Sequence, residues 1–133
     1  MVMAGIVPLS NELRTAVLRT LASFQPIAVY LFGSMATGSA RADSDVDLAF
    51  LPAESVKPLD CFNAAQELAE LLGREVDLVD LAQASTVLAK EVLRTGCLLA
   101  ESDRSVRQEF EMRTLADYAR LNEERQPVLT TMA

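Results

Sequence analysis

The sequence predicts an α/β protein, in which a small β-sheet is covered by helices. Segments with apolar residues at helical spacing alternate with short runs rich in β-branched and aromatic residues, in the order α-β-α-β-α-β-α-(β)-α. One short run, at about 44–51, also alternates between acidic and apolar residues, as a half-buried strand does. A chain of 133 residues suits one hydrophobic core, so we expect residues 1–133 to form a single domain.

The first predicted elements are a helix, a buried strand and a turn. Ser10 is a suitable N-cap for a helix over about 11–22, whose apolar residues fall on one stripe. The run 27–32, Ile-Ala-Val-Tyr-Leu-Phe, has the β-branched and aromatic composition of a buried strand. Gly33-Ser34 interrupts it, so residues 34–39 are expected to form a turn or a short helix.

The second half continues this alternation. The predicted elements are a helix at about 60–72 ending at Gly73, a strand at 75–81, a helix from a Ser85 cap to Thr95, a short edge strand at 97–100, and a long helix from an Asp103 cap to about 124. The tail from Gln126 contains Pro127, and we expect it to be frayed or held by a partner. On the last helix, Tyr118 is interpreted as a core residue, with a partner contact as the alternative.

The strand at 44–51 has one acidic and one apolar face. Its faces are Asp45, Asp47 and Ala49 on one side, and Val46, Leu48 and Phe50 on the other. Aspartate is disfavoured in strands, and two carboxylates about 4 Å apart repel by about 4 kcal/mol at an effective dielectric of about 20. A divalent cation between them would convert this repulsion into affinity. The alternative is a solvated strand face without a ligand.

Two residues of the strand at 75–81 compete to supply a third carboxylate. Asp77 and Asp80 are three positions apart and therefore face opposite ways, so only one of them can join the other aspartates. Asp77 lies in mid-strand, where an unpaired carboxylate is costly, whereas Asp80 lies near the end, where capping or solvent would satisfy it. We therefore select Asp77.

The Gly33-Ser34 turn is a candidate anion site. Glycine lets the backbone approach a ligand closely, and a backbone N–H, the Ser34 hydroxyl and the start of a short helix can bind phosphate. The alternative is a simple strand-to-helix turn, which is the commoner role of a Gly-Ser dipeptide. Arg41 and Ser44, in the segment before Asp45, are either phosphate contacts or ordinary loop residues.

The composition excludes several classes of protein. The chain has no histidine, which rules out Ser-His-Asp triads and histidine zinc sites. The net charge of −7 argues against direct nucleic-acid binding, and it means that an anionic nucleotide would need a cation to mediate. Cys61 and Cys97 lack metal or redox spacing and are expected to be buried thiols. Without a signal peptide or an apolar run of transmembrane length, we expect a cytoplasmic protein with no membrane partner.

The combination of Gly33-Ser34, a ten-residue spacer and Asp45-Val46-Asp47 resembles the signature of the DNA polymerase β-like nucleotidyltransferase superfamily. It is most similar to the minimal (MNT) members, which are paired with HEPN-domain toxins in toxin–antitoxin modules. Residues 27–51 and 74–81 carry the specific resemblance, and the last helix extends it. The resemblance implies a small mixed sheet flanked by helices, with a catalytic core at about 27–81.

The resemblance also implies roles for single residues. Gly33 and Ser34 would bind the triphosphate of ATP, and Asp45, Asp47 and Asp77 would be catalytic and hold two Mg²⁺ ions, with Mn²⁺ as a possible substitute. The reaction would release pyrophosphate and transfer AMP to a tyrosine hydroxyl of the HEPN toxin.

There are three alternatives to this function. The first alternative is an antitoxin that neutralises the toxin mainly by binding and occluding it, with vestigial catalysis. A transferase for a small molecule is less favoured because such enzymes usually carry a second domain. The toxin role itself is disfavoured, because the HEPN nuclease motif requires a histidine.

Overall fold

The computed structural model describes residues 10–38 and 45–132, with side chains as far as residue 124. Within these residues, a four-stranded sheet has helices on both faces, which confirms the predicted fold class. The helices are α1 Asn11–Leu21, α2 Ser34–Thr37, α3 Pro58–Leu72, α4 Thr86–Thr95 and α5 Arg104–Met132. The strands are β1 Pro26–Phe32, β2 Val46–Pro52, β3 Val76–Asp80 and β4 Cys97–Glu101.

The sheet is mixed, with the strand order β3-β2-β1-β4. β1 pairs antiparallel with both β2 and β4, whereas β2 and β3 are parallel. Parallel neighbours require a crossover connection, and α3 provides it. β4 lies at one edge, as predicted, and β3 lies at the other.

Both faces of the sheet are covered over most of its length. On one face of the sheet, buried residues of β1, β2 and β4 pack against α1 and α3. On the other face, buried residues of β1 and β2 pack against α4. Val46, Leu48 and Phe50 form the predicted apolar face. Ala49, on the same face as Asp47, is also buried, because α4 covers that part of β2. Within β2, the half-buried Asp47 near its beginning is therefore left for polar contacts.

The predicted helix ends are largely confirmed. Ser10, Ser85 and Asp103 each accept a hydrogen bond from the backbone N–H three residues later, at 3.3, 3.1 and 3.1 Å. α3 begins at Pro58, two residues before the predicted start, because proline is well suited to the first turn of a helix. Gly73 ends α3 in the left-handed conformation, with φ 65°.

The last helix is longer than predicted. α5 continues to Met132, so the tail from Gln126 is helical; an internal proline removes one helical hydrogen bond without having to end the helix. Tyr118 is half-buried between α5 and α4, with the Lys90 ammonium 4.7 Å from its ring centroid. Among the described residues, no helix has both the length and the apolar character needed to cross a membrane.

A buried polar cluster joins α5 to the sheet. The Tyr30 hydroxyl donates to the Glu111 carboxylate at 2.8 Å, and Arg107 donates to the same carboxylate at 2.9 Å. Arg107 also pairs with Glu101 of β4. Burial and the hydrogen bond to Glu111 raise the pKa of the Tyr30 hydroxyl, so this phenol stays protonated. The cluster fixes the position of α5 and was not predicted from the sequence.

Candidate active site

The two predicted halves of the site are brought together by the pairing of β1 with β2. These strands are antiparallel, and Phe32 at the end of β1 lies opposite Asp47 near the start of β2. Gly33 directly follows β1, so it lies beside the beginning of β2 even though the segment between them in sequence is long. The turn and the first two carboxylates therefore occupy one corner of the sheet.

Gly33 lies in close contact with the carboxylate of Asp47. Its φ of 71° is in the left-handed region, and a Cβ added to it would stand 2.2 Å from Asp47 Oδ2. Both the backbone conformation and the space therefore require glycine here. We expected Gly33 to allow the approach of a ligand; the neighbour that approaches it in the structure is a side chain of the chain itself.

Ser34 begins the single helical turn α2. The N–H groups of Ala36 and Thr37 donate to the Gly33 carbonyl at 3.1 and 3.2 Å. The N–H groups of Ser34 and Met35 precede these and have no acceptor within the helix, as is usual for a first turn. With the half-buried Ser34 side chain, they offer donors to an anion.

One cation beside this turn was missed by sequence reasoning. Arg74 packs against α2, with its Nη1 3.4 Å from Met35 Sδ. The available signal was its place in Arg-Glu-Val-Asp, just before β3 and close to Asp77. Arg74 thus lies beside the turn, on the segment that precedes β3.

The parallel pairing of β2 with β3 places Asp47 directly opposite Asp77. Residues paired in this way present their side chains on the same face of the sheet. Asp45 lies just before β2 and is exposed. Burial, followed by the negative charges of Asp77 and Asp45, raises the pKa of the Asp47 carboxyl. The three aspartates are therefore close enough to interact electrostatically.

Asp80 is satisfied elsewhere. Its Oδ1 accepts a hydrogen bond from the Ala82 N–H at 2.9 Å, which caps the turn after β3. Capping thus satisfies Asp80, as predicted from its place near the end of the strand. Arg41 and Ser44 lie outside the described residues, so their contacts with phosphate remain predictions.

The aspartates offer an open site rather than a closed metal cage. In the described parts of the chain, no group of three or more acidic or thiol side chains, Asp45, Asp47 and Asp77 included, is arranged to hold a metal ion. Mg²⁺ is usually held by one or two carboxylates, with water and substrate phosphates completing its coordination. Asp47 and Asp77, paired across β2 and β3, offer carboxylate oxygens of this kind, and a cation beside them would offset the repulsion that contributes to the raised pKa of Asp47.

Two clefts of similar size have different relations to these residues. A polar cleft of about 460 Å³ lies beyond the other end of β2 and contains none of the predicted site residues. A groove of about 440 Å³ between α3 and β3 includes Asp77. The larger cleft lies at the opposite end of the strand that bears Asp47. The carboxylates therefore place the candidate active site on the side of the molecule that bears Asp77.

Known proteins share both the sequence and the fold. The family model for polymerase beta nucleotidyltransferases matches residues 16–105. The protein adenylyltransferase MntA of Shewanella oneidensis is 38% identical over 103 residues, which cover 76% of this chain and 72% of the relative. A crystal structure of a toxin–antitoxin with AMP-PNP has a TM-score of 0.80 at 34% identity, covering 90% of this chain and 98% of that one. The MNT antitoxin in complex with the tri-AMPylated Shewanella oneidensis HEPN toxin has a TM-score of 0.78 at 30% identity, covering 94% and 100%.

Proposed function

The chain belongs to the polymerase beta nucleotidyltransferase family, and from that premise we propose that it transfers AMP from ATP to a tyrosine hydroxyl of a HEPN-domain toxin and thereby neutralises the toxin. The observation that carries this proposal is the position of Asp47, which lies against Gly33 on one side and opposite Asp77 on the other. Similar antitoxins bound to AMP-PNP, or accompanied by a tri-AMPylated HEPN toxin, support the nucleotide, the reaction and the partner.

In this proposal, the turn holds the anionic end of the nucleotide. The N–H groups and hydroxyl at Ser34, together with the backbone at Gly33, bind the β- and γ-phosphates. Arg41 and Ser44 supply further phosphate contacts from the segment before Asp45. Arg74 contacts the same turn through Met35.

The carboxylates of Asp45, Asp47 and Asp77 would hold two Mg²⁺ ions, for which Mn²⁺ could substitute. When bound, these ions neutralise charge on the attacking and leaving oxygens. The acceptor oxygen forms a bond to the α-phosphorus while the bond from that phosphorus to the β-phosphate bridging oxygen breaks, and pyrophosphate leaves. Asp77, which is exposed on the edge strand β3, would orient the incoming hydroxyl and accept its proton.

We place this reaction in the cytoplasm. The test is to incubate the protein with its HEPN partner, ATP and MgCl₂ in a reducing buffer near neutral pH. Intact-mass spectrometry should show the toxin gaining one or more AMP units, and peptide mapping should locate them on tyrosine. AMP-PNP is not a suitable negative control, because its α–β linkage remains cleavable. A suitable negative control is the same reaction without Mg²⁺ and with added EDTA. An unchanged toxin mass in the complete reaction would refute the proposal.

A further inference from the structure

α3 and β3 enclose an apolar groove beside the candidate active site. The groove of about 440 Å³ includes Phe62 and Ala65 of α3, and Val76 and Leu78 of β3. The Phe62 side chain is 59% exposed. A large aromatic side chain in this position is unfavourable in water and is typical of a surface that binds a partner.

The same groove follows the open edge of the sheet. β3 is the last strand on this side among the described residues. At its two ends, the Glu75 carbonyl and the Leu81 N–H bond to β2, both at 2.9 Å. Because backbone groups alternate in direction along a strand, those of Val76 and Leu78 point outward. The Leu78 carbonyl receives only a 3.7 Å contact from the Cys61 thiol. Such an edge is able to pair with an added extended segment.

The charge and position of the groove indicate which segment would bind. Asp77 and Asp80 both line it, and they contribute, after burial, to the raised pKa of the Cys61 thiol. The floor of the groove is therefore apolar, and its side along β3 is negatively charged. This surface complements a segment in which an apolar residue is followed or preceded by a basic residue. Asp77 also belongs to the candidate active site, and its side chain faces the opposite side of the sheet from Val76 and Leu78. A segment paired along the edge of β3 would therefore place alternate side chains in the groove and beside Asp77.

We propose that this groove docks an extended segment of the protein substrate, which pairs with the edge of β3, places an apolar side chain against Phe62 and brings the acceptor hydroxyl to Asp77. This inference rests on the proposed adenylyl transfer. It explains how a small enzyme with an open carboxylate site selects a protein acceptor: the docking residues lie on α3 and β3, next to the reacting atoms.

The test compares Phe62→Glu with Leu71→Glu. Leu71 is 54% exposed on the same helix but lies outside the groove; nine residues along a helix correspond to about half a turn around its axis. For AMP transfer to the HEPN partner, Phe62→Glu should lower kcat/KM by about tenfold or more, the effect of losing one anchor residue of an interface. Leu71→Glu should stay within about twofold of the wild type, and both variants should bind ATP with Mg²⁺ as the wild type does.

The outcomes separate this inference from the proposed function. If the wild type transfers no AMP, the proposed function fails. If the wild type is active and Phe62→Glu is equally active, the groove is not the docking site. A wild-type dimer that Phe62→Glu converts to a monomer without loss of transfer would assign the groove to a second copy instead, and would also overturn the inference.

A second measurement uses Cys61 as a probe of the groove. Cys61 is partly exposed there, whereas Cys97 is 2% exposed and serves as an internal reference. At mildly alkaline pH, bound HEPN partner should slow alkylation of Cys61 by iodoacetamide by about tenfold, because a docked segment covers the thiol. Equal alkylation rates for the free protein and the complex would contradict docking in the groove.

Discussion

The carboxylate of Asp47 lies so close to Gly33 that a Cβ on that glycine would stand 2.2 Å from Asp47 Oδ2. The glycine and the aspartate are therefore sterically coupled, although they belong to different halves of the sequence motif. The small residue leaves room for the carboxylate, and the carboxylate in turn lies opposite Asp77. This coupling connects the expected phosphate-binding turn to the expected metal ligands and is the basis of the first prediction.

Gly33→Ala should abolish transfer, and Gly73→Ala should not. Both glycines have positive φ, 71° and 65°, so alanine at either costs about 1–3 kcal/mol of stability, and the cost is the larger at Gly33, whose ψ of −151° is a conformation essentially restricted to glycine. Only at Gly33 would the new methyl group also displace Asp47, since nothing lies within 4 Å of a Cβ at Gly73. Denaturant unfolding and AMP-transfer assays of both variants check this. Equal activity in the two variants would show that the contact with Asp47 is not needed.

The two aspartates of β3 allow a second comparison between matched variants. Asp77→Asn should reduce AMP transfer by at least about a hundredfold, because it removes a carboxylate opposite Asp47. Asp80→Asn should leave the transfer rate at saturating HEPN partner nearly unchanged, with the lost charge of the groove appearing in KM, and should lower stability by about 1 kcal/mol or less, because Asp80 caps the Ala82 N–H. Single-turnover transfer rates at saturating Mg²⁺ measure the difference. If the two variants lost activity equally, the assignment of Asp77 would be wrong.

Asp47 should make the protein less stable at neutral pH than its amide variant. Its carboxyl pKa is raised from 3.8 in the folded state, so the folded protein retains a proton that the unfolded chain has already lost. Stability therefore falls as the pH rises from about 3.8 through the folded-state pKa, and the penalty is complete at neutral pH. Because the group is partly exposed, we expect less than about 1 kcal/mol.

Asp47→Asn should accordingly raise the midpoint of urea unfolding at pH 7 and have no such effect near pH 3.5. Addition of Mg²⁺ and ATP should stabilise the wild type by about 2.7 kcal/mol at a hundredfold excess over the Kd, but should stabilise the variant much less. A variant less stable than the wild type at pH 7, without ligand, would mean that Asp47 is held by favourable contacts rather than strained by its neighbours.

The sequence predicted the elements and the identity of the clustered aspartates better than it predicted their surroundings. Alternation within a strand is local, so residue parity predicted a shared face for Asp45 and Asp47 and allowed only one of Asp77 and Asp80 to join them. The choice of Asp77 came from its place in mid-strand. The register of β2 with β3 depends on long-range packing of α3 and was not predictable in detail. The Tyr30–Glu111 cluster joins residues distant in sequence, and the contact of Asp47 with Gly33 requires the pairing of β1 with β2. No local pattern encodes either.

The last prediction distinguishes an enzyme from an antitoxin that acts only by occlusion. Asp45→Asn combined with Asp47→Asn removes two negative charges from one corner of the sheet without removing side-chain volume. Neither residue lies in the apolar face of β2, so the fold and the α3–β3 groove should persist. The double variant should therefore still bind the HEPN partner but should transfer no AMP, as measured by the intact mass of the toxin.

The consequence for the cell depends on which property neutralises the toxin. If covalent modification does so, cells that express the toxin should survive with the wild type and die with the double variant, although the two antitoxins accumulate to equal levels. The negative charges of Asp77 and Asp45 contribute to the raised pKa of Asp47, so the charged form of Asp47 lowers the stability of the folded protein. An antitoxin that acts by occlusion alone has no need of this group of aspartates. Full protection by the double variant, with normal binding and no mass gain on the toxin, would show instead that occlusion is sufficient.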